Sequence, residues 1–309
     1  MDGSSSTAIR VVCGPTAAGK TFAATWFSRL ADVSVVSADS RQLYRGFDVG
    51  TAKPTAREQR VVPHHGIDVL DPTERASAAW WAERADQWID DVAARGRTPI
   101  VAGGTGLYLR ALFGTLFEEP ALQAESRASL QAIFAVQPTG ELRRWVTALD
   151  PARAHLGRTQ LMRAIEIALL TGRRVSELHR ESVRAPRRRG RYLVVDPGPT
   201  LAGIIERRTK MMFAAGWHDE VRRLVQDVPE DAPAWNATGY RTIREVVRGT
   251  LSMAEAEGRV MIETRQYAKR QRTWFRHQLA GEQVTRLSTG QPDWEARAVA
   301  WWNGEEGSQ

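Results

Sequence analysis

Four short apolar runs rich in β-branched residues are spread along the chain, and each is typical of a strand buried in a sheet. Their positions are Ile9–Cys13, Val33–Ser37, 99–102 and 192–195. Helical periodicity occupies the segments between the first three runs, as at residues 22–30. Strands that alternate with helices predict an α/β fold, with a parallel sheet flanked by helices.

The pattern changes in the middle of the chain. Between residues 115 and 190 apolar positions recur at helical spacing, and no strand pattern is found. The clearest helical segments are 122–134, 141–149 and 160–170. We therefore predict an all-helical domain, residues 115–190, inserted into the α/β core.

The final third of the chain returns to the core. Helical periodicity follows the fourth strand, with a turn at 236–239, in the segments 202–215, 219–225, 240–248 and 253–276. The predicted core therefore comprises residues 9–114 and 191–303 with their C-terminal helices. The polar ends, residues 1–8 and 304–309, are expected to be disordered.

Composition supports a soluble protein with one large core and a second module. The chain has 309 residues, of which 42% are hydrophobic and 26% charged. No apolar run approaches the roughly 18 residues of a membrane helix, and the first residues lack the pattern of a signal peptide. Cys13 is the only cysteine, which excludes intrachain disulfides. We expect a cytoplasmic protein that does not contact membranes.

The charge of the chain favours an anionic partner. The formal net charge is +7, and residues 141–191 alone contain 13 arginines and five acidic residues. A basic surface of this kind favours nucleic acid. The arginine-rich run 184–191 is either a solvated linker or part of such a surface. Only four lysines occur in the chain, so Lys53 is a candidate for a site that needs a compact ammonium group.

A complete phosphate loop follows the first strand and precedes the first helix, as its chemistry requires. It consists of Gly14, Pro15, Thr16, Ala17, Ala18, Gly19, Lys20 and Thr21. Small residues allow backbone N–H groups to face phosphate, Lys20 neutralises phosphate oxygens, and the Thr21 hydroxyl is a ligand for Mg²⁺. The loop predicts binding of a polyphosphate or a diphosphate.

Two further turns should meet this loop, since the carboxyl ends of parallel strands share one edge of a sheet. Asp39 follows the second strand, where it can accept a proton, hold Mg²⁺ or cap a helix. Thr105 lies in the glycine-rich turn 103–106 and offers a hydroxyl, although the segment also suits a simple tight turn. That turn has no carboxylate, which disfavours ordinary ATP hydrolysis. His64 and His65 are expected to be a structural pair in a turn.

Seven short motifs in one order give the chain a family resemblance. They are 14–21 (GPTAAGKT), 39–44 (DSRQLY), 50–54 (GTAKP), 63–68 (PHHGID), 103–108 (GGTGLY), 239–241 (GYR) and 268–276 (AKRQRTWFR). In this order the chain closely resembles bacterial tRNA dimethylallyltransferases over roughly residues 9 to 276. The resemblance implies an α/β core like that of phosphate-loop NTPases with an inserted helical domain.

The resemblance also implies an activity, the transfer of a dimethylallyl group from dimethylallyl diphosphate to N6 of adenosine 37 in tRNA. Asp39 would be the general base near N6, and Thr105 would lie beside it. The phosphate loop would hold the leaving diphosphate, with Lys20 and a Mg²⁺ ion at Thr21 compensating its charge. Arg208 matches the diphosphate-binding arginine of the family, and Lys53 is a candidate second clamp.

The implied partner is the anticodon stem-loop, whose adenine must be flipped out of its stack to react. The protein is expected to act as a monomer. Tyr44 could equally stack on the base or fill the core. The family usually has Gln-Arg-x-x-Arg in the inserted domain, where this chain has Thr159 to Arg163, so those RNA contacts differ in detail. The residues expected to contact tRNA are Ser40, Arg41, Gln42, Tyr44, Gln160, Arg163, Gly239, Tyr240 and Arg241.

Three other functions are compatible with parts of the pattern. An adenylate isopentenyltransferase would use free AMP or ATP, but it would not need a basic inserted domain. A small-molecule kinase would use the phosphate loop for ATP. A pure RNA-binding module would have no use for Asp39 and a phosphate loop in one crevice.

Overall fold

The computed structural model describes residues 8–114, 120, 122–181, 186–279 and 283–305. The described strands, numbered in chain order, form one parallel sheet. They are β1 (Ile9–Cys13), β2 (Val33–Ser37), β3 (His64–His65), β4 (Thr98–Gly103), β5 (Gly190–Val195) and β6 (Val284–Leu287). Their spatial order is β3-β2-β4-β1-β5-β6, so the predicted α/β fold with a parallel sheet is confirmed.

The chain divides into two compact units. The first comprises residues 1–113 and 187–309 and contains the sheet and most of the helices. Its described α-helices are α1 (Lys20–Trp26), α2 (Ala56–Val61), α3 (Ala78–Ala94), α4 (Gly106–Phe113), α9 (Leu201–Ala214), α10 (Trp217–Asp227), α11 (Tyr240–Val247), α12 (Met253–Gln278) and α13 (Trp294–Asn303).

The second unit, residues 114–186, is helical throughout its described part. Its helices are α5 (Ala124–Ala135), α6 (Thr139–Leu149), α7 (Arg158–Thr171) and α8 (Val175–Glu181). A core that includes Phe134, Leu142 and Leu161 holds them together. Glu166 is buried, and it accepts hydrogen bonds from Arg127, at 3.2 Å, and from other side chains of α5 and α7. A buried carboxylate with several donors joins these two helices.

The helical unit ends four residues before the predicted boundary at 190. Arg188 binds Asp86 and Asp90 of α3 at 2.6–2.7 Å, and Gly190 is the first residue of β5. Arg187 also lies 3.8 Å from Asp86. Part of the arginine-rich run is therefore attached to the sheet-containing unit by ion pairs, whereas residues 182–185 lie outside the described part.

Two strands were not recognised in the sequence. β3 is only two residues long, and it places the His64–His65 pair in the sheet rather than in a turn, with His64 Nδ1 2.7 Å from the Val62 carbonyl oxygen. β6 pairs with β5 and brings the C-terminal segment onto the sheet. Trp294, Trp301 and Trp302 of α13 then pack on α1 and the turn that follows it.

Residues 1–7 and 306–309, which contain most of the ends predicted to be disordered, lie outside the described part. Within the part that is described, no helix has the length and apolar character needed to cross a membrane.

Candidate active site

The phosphate loop turns sharply between β1 and α1 because its backbone takes conformations that favour glycine. Gly14 has φ 146°, and a Cβ there would overlap the carbonyl oxygen of Val195 on the neighbouring strand. Gly19, with φ 90°, directly precedes α1, and even Ala17 has a positive φ of 63°. Such a sequence of conformations turns successive N–H groups toward one point, as anion binding requires.

Lys20 lies within this loop, and its Nζ donates to the Pro15 carbonyl oxygen at 2.8 Å. Burial lowers the pKa of Lys20 to about 8, with a further lowering from the nearby charge of Arg208. The negative charge of Asp39 acts in the opposite direction and raises this pKa. A buried ammonium with a depressed pKa is ready to be stabilised by an incoming anion.

Gln271 of α12 connects the loop to the glycine-rich turn, and the sequence analysis did not identify it as a site residue. Its Oε1 accepts the Thr16 N–H at 2.8 Å, and its Nε2 donates to the Gly104 carbonyl oxygen at 2.8 Å. The side chain is buried, and a Cβ on Gly104 would overlap it. In the sequence, the only indication of this role was the presence of Gln271 in the arginine-rich motif 268–276.

Asp39 and Thr105 come together as predicted, since the turns after β2 and β4 are bonded to each other. Thr105 Oγ1 accepts the Ser40 N–H at 3.0 Å, and the Thr105 N–H donates to the Ala38 carbonyl oxygen at 3.0 Å. Asp39 Oδ1 accepts the Arg41 N–H at 2.9 Å. A Cβ on Gly103 would overlap Ala38, which explains why a glycine ends β4.

Tyr267 is a second site residue that the sequence analysis missed. It lies on α12, is hydrogen-bonded with Thr105 and lines the same cleft as Asp39 and Arg41. Burial raises the pKa of Tyr267 to about 12, and the charge of Asp39 acts in the same direction. The phenol therefore remains protonated at neutral pH and can act as a hydrogen-bond donor.

These elements border a cleft that is open to solvent. Arg208 of α9 reaches its polar end, where its Nη1 lies 3.4 Å from Thr16 Oγ1. Burial lowers the pKa of Arg208, whereas the charge of Asp39 raises it. The cleft is also lined by the apolar side chains Ile205, Met212, Trp217 and Val260. The cleft thus combines a cationic phosphate site, a carboxylate and an apolar wall.

Lys53 is not part of this cleft, and its expected role as a second diphosphate clamp is corrected by its contacts. Its side chain is 3% exposed, and Nζ contacts Asp48 and Asp68 at 2.5 Å each. The third donor goes to the Tyr44 carbonyl oxygen at 2.8 Å. With all three donors of the ammonium used inside the protein, Lys53 holds the 44–54 loop.

Gln42 and Tyr44 also have structural contacts in place of the expected contacts to a base. Gln42 Nε2 lies 3.4 Å from the Thr51 carbonyl oxygen and 3.3 Å from that of Ala52, while Oε1 accepts from Ser37 at 3.2 Å. Tyr44 is 6% exposed and belongs to the core. Of the two interpretations of Tyr44, the structure supports core packing.

The residues of the Gly239-Tyr240-Arg241 motif differ in their surroundings. Tyr240 is fully buried, and its hydroxyl donates to Glu220 Oε1 at 2.6 Å and accepts the Gly50 N–H at 3.1 Å. Gly239 has φ 86°, and a Cβ there would overlap Trp217. Tyr240 is therefore a core residue, whereas Gly239 also lines a surface pocket together with Arg241. Arg241 is exposed and donates to the Asn236 side chain at 2.5 Å, in a shallow polar pocket.

The two residues of the helical unit that were expected to contact tRNA differ in their surroundings. Gln160 is exposed, and its Oε1 accepts the Gly157 N–H at 3.4 Å. Arg163 is 19% exposed and donates to Glu166 at 2.8 Å. Arg163 therefore helps to neutralise a buried carboxylate.

The residues at the phosphate loop suit the binding of Mg²⁺ together with a phosphate ligand. Thr21 is exposed in the first turn of α1. The described part of the chain contains no group of three or more histidine, cysteine or acidic side chains arranged around one point. Mg²⁺ commonly keeps several waters and is held by few protein groups plus substrate phosphates. A hydroxyl beside a phosphate cradle fits that pattern, whereas a site made of protein ligands alone does not.

Comparison with known proteins agrees with this geometry. The family model described as IPP transferase matches residues 42–278. A tRNA dimethylallyltransferase of an Anaeromyxobacter species is 44% identical over 280 residues, which cover 89% of this chain and 93% of that protein. A tRNA dimethylallyltransferase of Myxococcus xanthus is 40% identical over 274 residues, covering 87% of this chain and 89% of that protein.

Solved structures give the same result. The crystal structure of a tRNA isopentenylpyrophosphate transferase from Bacillus halodurans superposes with a TM-score of 0.67 at 30% identity, covering 96% of this chain and 95% of that one. Sequence identity, coverage and fold are consistent with each other, and this chain belongs to the IPP transferase family.

Proposed function

We propose that this protein transfers a dimethylallyl group from dimethylallyl diphosphate to N6 of adenosine 37 in tRNA and releases diphosphate. The observation that carries the proposal is the cleft beside the phosphate loop that is lined by Asp39, by Arg208 and by apolar side chains. The cationic groups of the cleft match the diphosphate of the donor, and its apolar side chains match the dimethylallyl group. Relatives named tRNA dimethylallyltransferase cover most of the chain, which supports tRNA as the acceptor.

The diphosphate is the leaving group in this proposal. The N–H groups of the loop, the Lys20 ammonium and the Arg208 guanidinium would bind its oxygens, so that negative charge is stabilised as the allylic C–O bond breaks. A Mg²⁺ ion held by the diphosphate and Thr21 would supply further charge compensation when bound. The apolar side chains of the wall would surround the five-carbon group and exclude water.

Asp39 is the proposed general base. The N6 lone pair forms the new bond to the allylic carbon, the electrons of the C–O bond leave with diphosphate, and an N6 proton passes to the Asp39 carboxylate. The Tyr267, Thr105 and Ser40 bonds hold the two turns together at this point. They would fix the position of the carboxylate relative to the phosphate loop.

A comparison of acceptors tests the proposal. Purified protein is incubated with dimethylallyl diphosphate and Mg²⁺, and with either an anticodon stem-loop that contains an adenosine at position 37 or free AMP. We expect the stem-loop to gain one dimethylallyl group, detected by nucleoside mass spectrometry, with AMP a much poorer acceptor. Preference for AMP would instead identify an adenylate isopentenyltransferase.

A second incubation addresses the kinase alternative. γ-labelled ATP is supplied with the stem-loop and with AMP in place of the prenyl donor. We expect no labelled product, because the turn after β4 carries Thr105 where many ATP-hydrolysing proteins have a metal-binding carboxylate. Transfer of label to either acceptor would refute the prenyltransferase assignment of the phosphate loop.

A further inference from the structure

We call the part of the cleft beside the phosphate loop its polar end and the part lined by Val260 and Trp217 its apolar end. Helix α12 contributes residues to both. At the polar end Gln271 is bonded to the phosphate loop, and Tyr267 lies one turn earlier beside Thr105. Thr264 and Val260 line the cleft farther along the same helix. At 1.5 Å per residue, Val260 lies about 16 Å from Gln271 along the helix axis. This distance separates the residue that is bonded to the phosphate loop from the part of the cleft at Val260.

Trp217 forms part of the apolar end. Its side chain is 1% exposed and lines the cleft at the start of α10. A Cβ on Gly239 would overlap the indole and lie 3.2 Å from Val260 Cγ1, so the ring and Val260 meet at this glycine. A Cβ on Gly50 would also overlap the ring. The indole therefore fits only because two glycines, one in each of two sequence motifs, leave space for it.

The ring is held firmly in this position. The rings of Tyr240 and Phe213 pack edge-on against it, with centroid distances of 5.3 and 5.7 Å. The Tyr240 hydroxyl joins Glu220 to the Gly50 N–H, so the loop that carries Gly50 is fixed to α10 and α11. A rotation of Trp217 away from the cleft would disrupt these contacts. Close packing of this kind opposes displacement of the ring by a longer ligand.

We infer that Trp217 sets the maximum length of the prenyl donor and restricts the enzyme to five-carbon allylic diphosphates. The inference rests on the proposed function, because it assumes that the apolar end of the cleft receives the prenyl chain. A ten-carbon chain bound with its diphosphate at the loop needs the volume that the indole occupies. The glycines at positions 50 and 239, which lie in two separate sequence motifs, are then both required because they leave space for this ring.

The test compares two donors, dimethylallyl and geranyl diphosphate, in the wild type and in Trp217→Leu, with the anticodon stem-loop as acceptor. The reaction with geranyl diphosphate is the same substitution at the allylic carbon, with diphosphate as leaving group. We expect the ratio of kcat/KM for geranyl over dimethylallyl diphosphate to rise at least about tenfold in the variant. An unchanged ratio in a folded variant would overturn the inference.

Trp301→Leu is a matched control. Trp301 is also 1% exposed, and like Trp217 its indole N–H has no hydrogen-bond partner in the described part of the chain. It packs against Phe27 and does not line the cleft. We expect a similar loss of stability without a change in the donor ratio. A rise in the ratio for Trp301→Leu as well would show that general loosening, rather than the cleft wall, sets donor length.

Binding measurements keep the inference separate from the proposed function. If wild-type protein fails to modify the stem-loop with dimethylallyl diphosphate, the proposed function fails, but calorimetry with the two diphosphates still measures the space in the cleft. Trp217→Leu is then expected to bind geranyl diphosphate at least about tenfold more tightly than the wild type does. If Trp217→Leu does not fold, Trp217→Phe replaces it, and equal geranyl diphosphate affinity for that variant and wild type contradicts the inference.

Discussion

At the residue scale, two of the four lysines show how similar side chains can have different roles. Lys20 lies in a loop whose backbone N–H groups converge, and burial depresses its pKa. Lys53 is also buried, but Asp48 and Asp68 surround its ammonium. A free positive charge in a phosphate cradle suits ligand binding, whereas a fully paired one stabilises the fold. The difference lies in the partners, which residues distant in sequence supply.

The pKa of Lys20 makes diphosphate binding pH-dependent. Below about pH 8 the ammonium is already charged in the free protein, so a diphosphate binds without proton uptake. Above that pH the free lysine is neutral, while the bound anion favours the charged form. Affinity should therefore fall by up to about tenfold per pH unit above this value. Calorimetry with diphosphate from pH 7 to 10 measures the effect.

Lys20→Met is the control for that titration, because diphosphate itself ionises in this pH range. The variant should bind more weakly at pH 7 and should not show the additional fall above pH 8. Parallel pH profiles for the wild type and Lys20→Met would contradict the role given to Lys20.

The substitution Asp39→Asn removes the proposed proton acceptor and is expected to preserve the turn. The asparagine oxygen can still accept the Arg41 N–H, so the local backbone should be preserved. We expect single-turnover rates to fall by roughly 10²–10⁴, the usual contribution of a general base. Affinity for tRNA, measured by filter binding, should change less than threefold, on the order of experimental differences between surface variants. A rate within tenfold of the wild type would remove Asp39 as the base.

At the element scale, α12 organises the site. Its capping box at Ser252 and Glu255 fixes where it begins, and its buried face presents Val260, Tyr267 and Gln271 to different parts of the cleft. Periodicity predicted the helix. It could not indicate which loop each buried residue contacts, because those contacts depend on how α12 lies over the sheet. The roles of Gln271 and Tyr267 were missed for this reason.

The loop at residues 44–54 is an element whose stability can be tested separately from the site. Lys53→Met leaves Asp48 and Asp68 without their cation, and we expect the free energy of unfolding to fall by about 1–3 kcal/mol, since both acids are partly exposed. Denaturant unfolding measures this loss. Diphosphate affinity should remain within about twofold. A large loss of diphosphate affinity in a folded variant would restore Lys53 as a clamp.

Lys210→Met provides a comparison for Lys53→Met. Lys210 pairs with Glu206 on the surface, and its side chain is 57% exposed. This variant removes the same charge from an exposed pair, so it should unfold at nearly the wild-type denaturant concentration. Equal destabilisation by the two substitutions would contradict the buried role of Lys53.

At the scale of the whole molecule, the arginine excess is less available to a ligand than its count suggests. Many arginines bind acidic side chains or carbonyl oxygens of the protein, and Arg188 is paired with two aspartates of α3. Arg180 and Arg189 are at least partly exposed, and no partner for either side chain is found in the described part. Phosphate contacts should come mainly from arginines of this second kind.

This difference predicts the salt dependence of tRNA binding. Arg180→Ala and Arg189→Ala together should reduce the slope of log affinity against log salt by about 0.7–0.9 for each phosphate that is no longer neutralised. Arg188→Ala changes the net charge equally per residue, but it should leave the slope unchanged and lower stability. Fluorescence anisotropy with a labelled stem-loop at several salt concentrations measures the slope. Equal slopes for wild type and the double variant would exclude both arginines from the interface.

The sequence by itself determined the elements whose signal is local. Hydrophobic spacing predicted four of the strands and many of the helices in both units. The glycine pattern of residues 14–21 predicted the phosphate loop, because backbone conformation and strand burial depend on nearby residues. Parallel strands also placed Asp39 and Thr105 at one edge of the sheet. These predictions needed no knowledge of distant contacts.

The tertiary structure decided the roles that depend on distant partners. β3 is too short for a pattern, and β6 becomes a strand because β5 offers an edge to it. Tyr240, predicted to line an RNA channel, is buried, and its hydroxyl bonds to Glu220 and Gly50. Trp217 lines the cleft in a space that exists because Gly50 and Gly239 have no side chain. The sequence gives the type of each side chain, but the burial of a side chain and its hydrogen-bond or ion-pair partners are determined only when the chain folds.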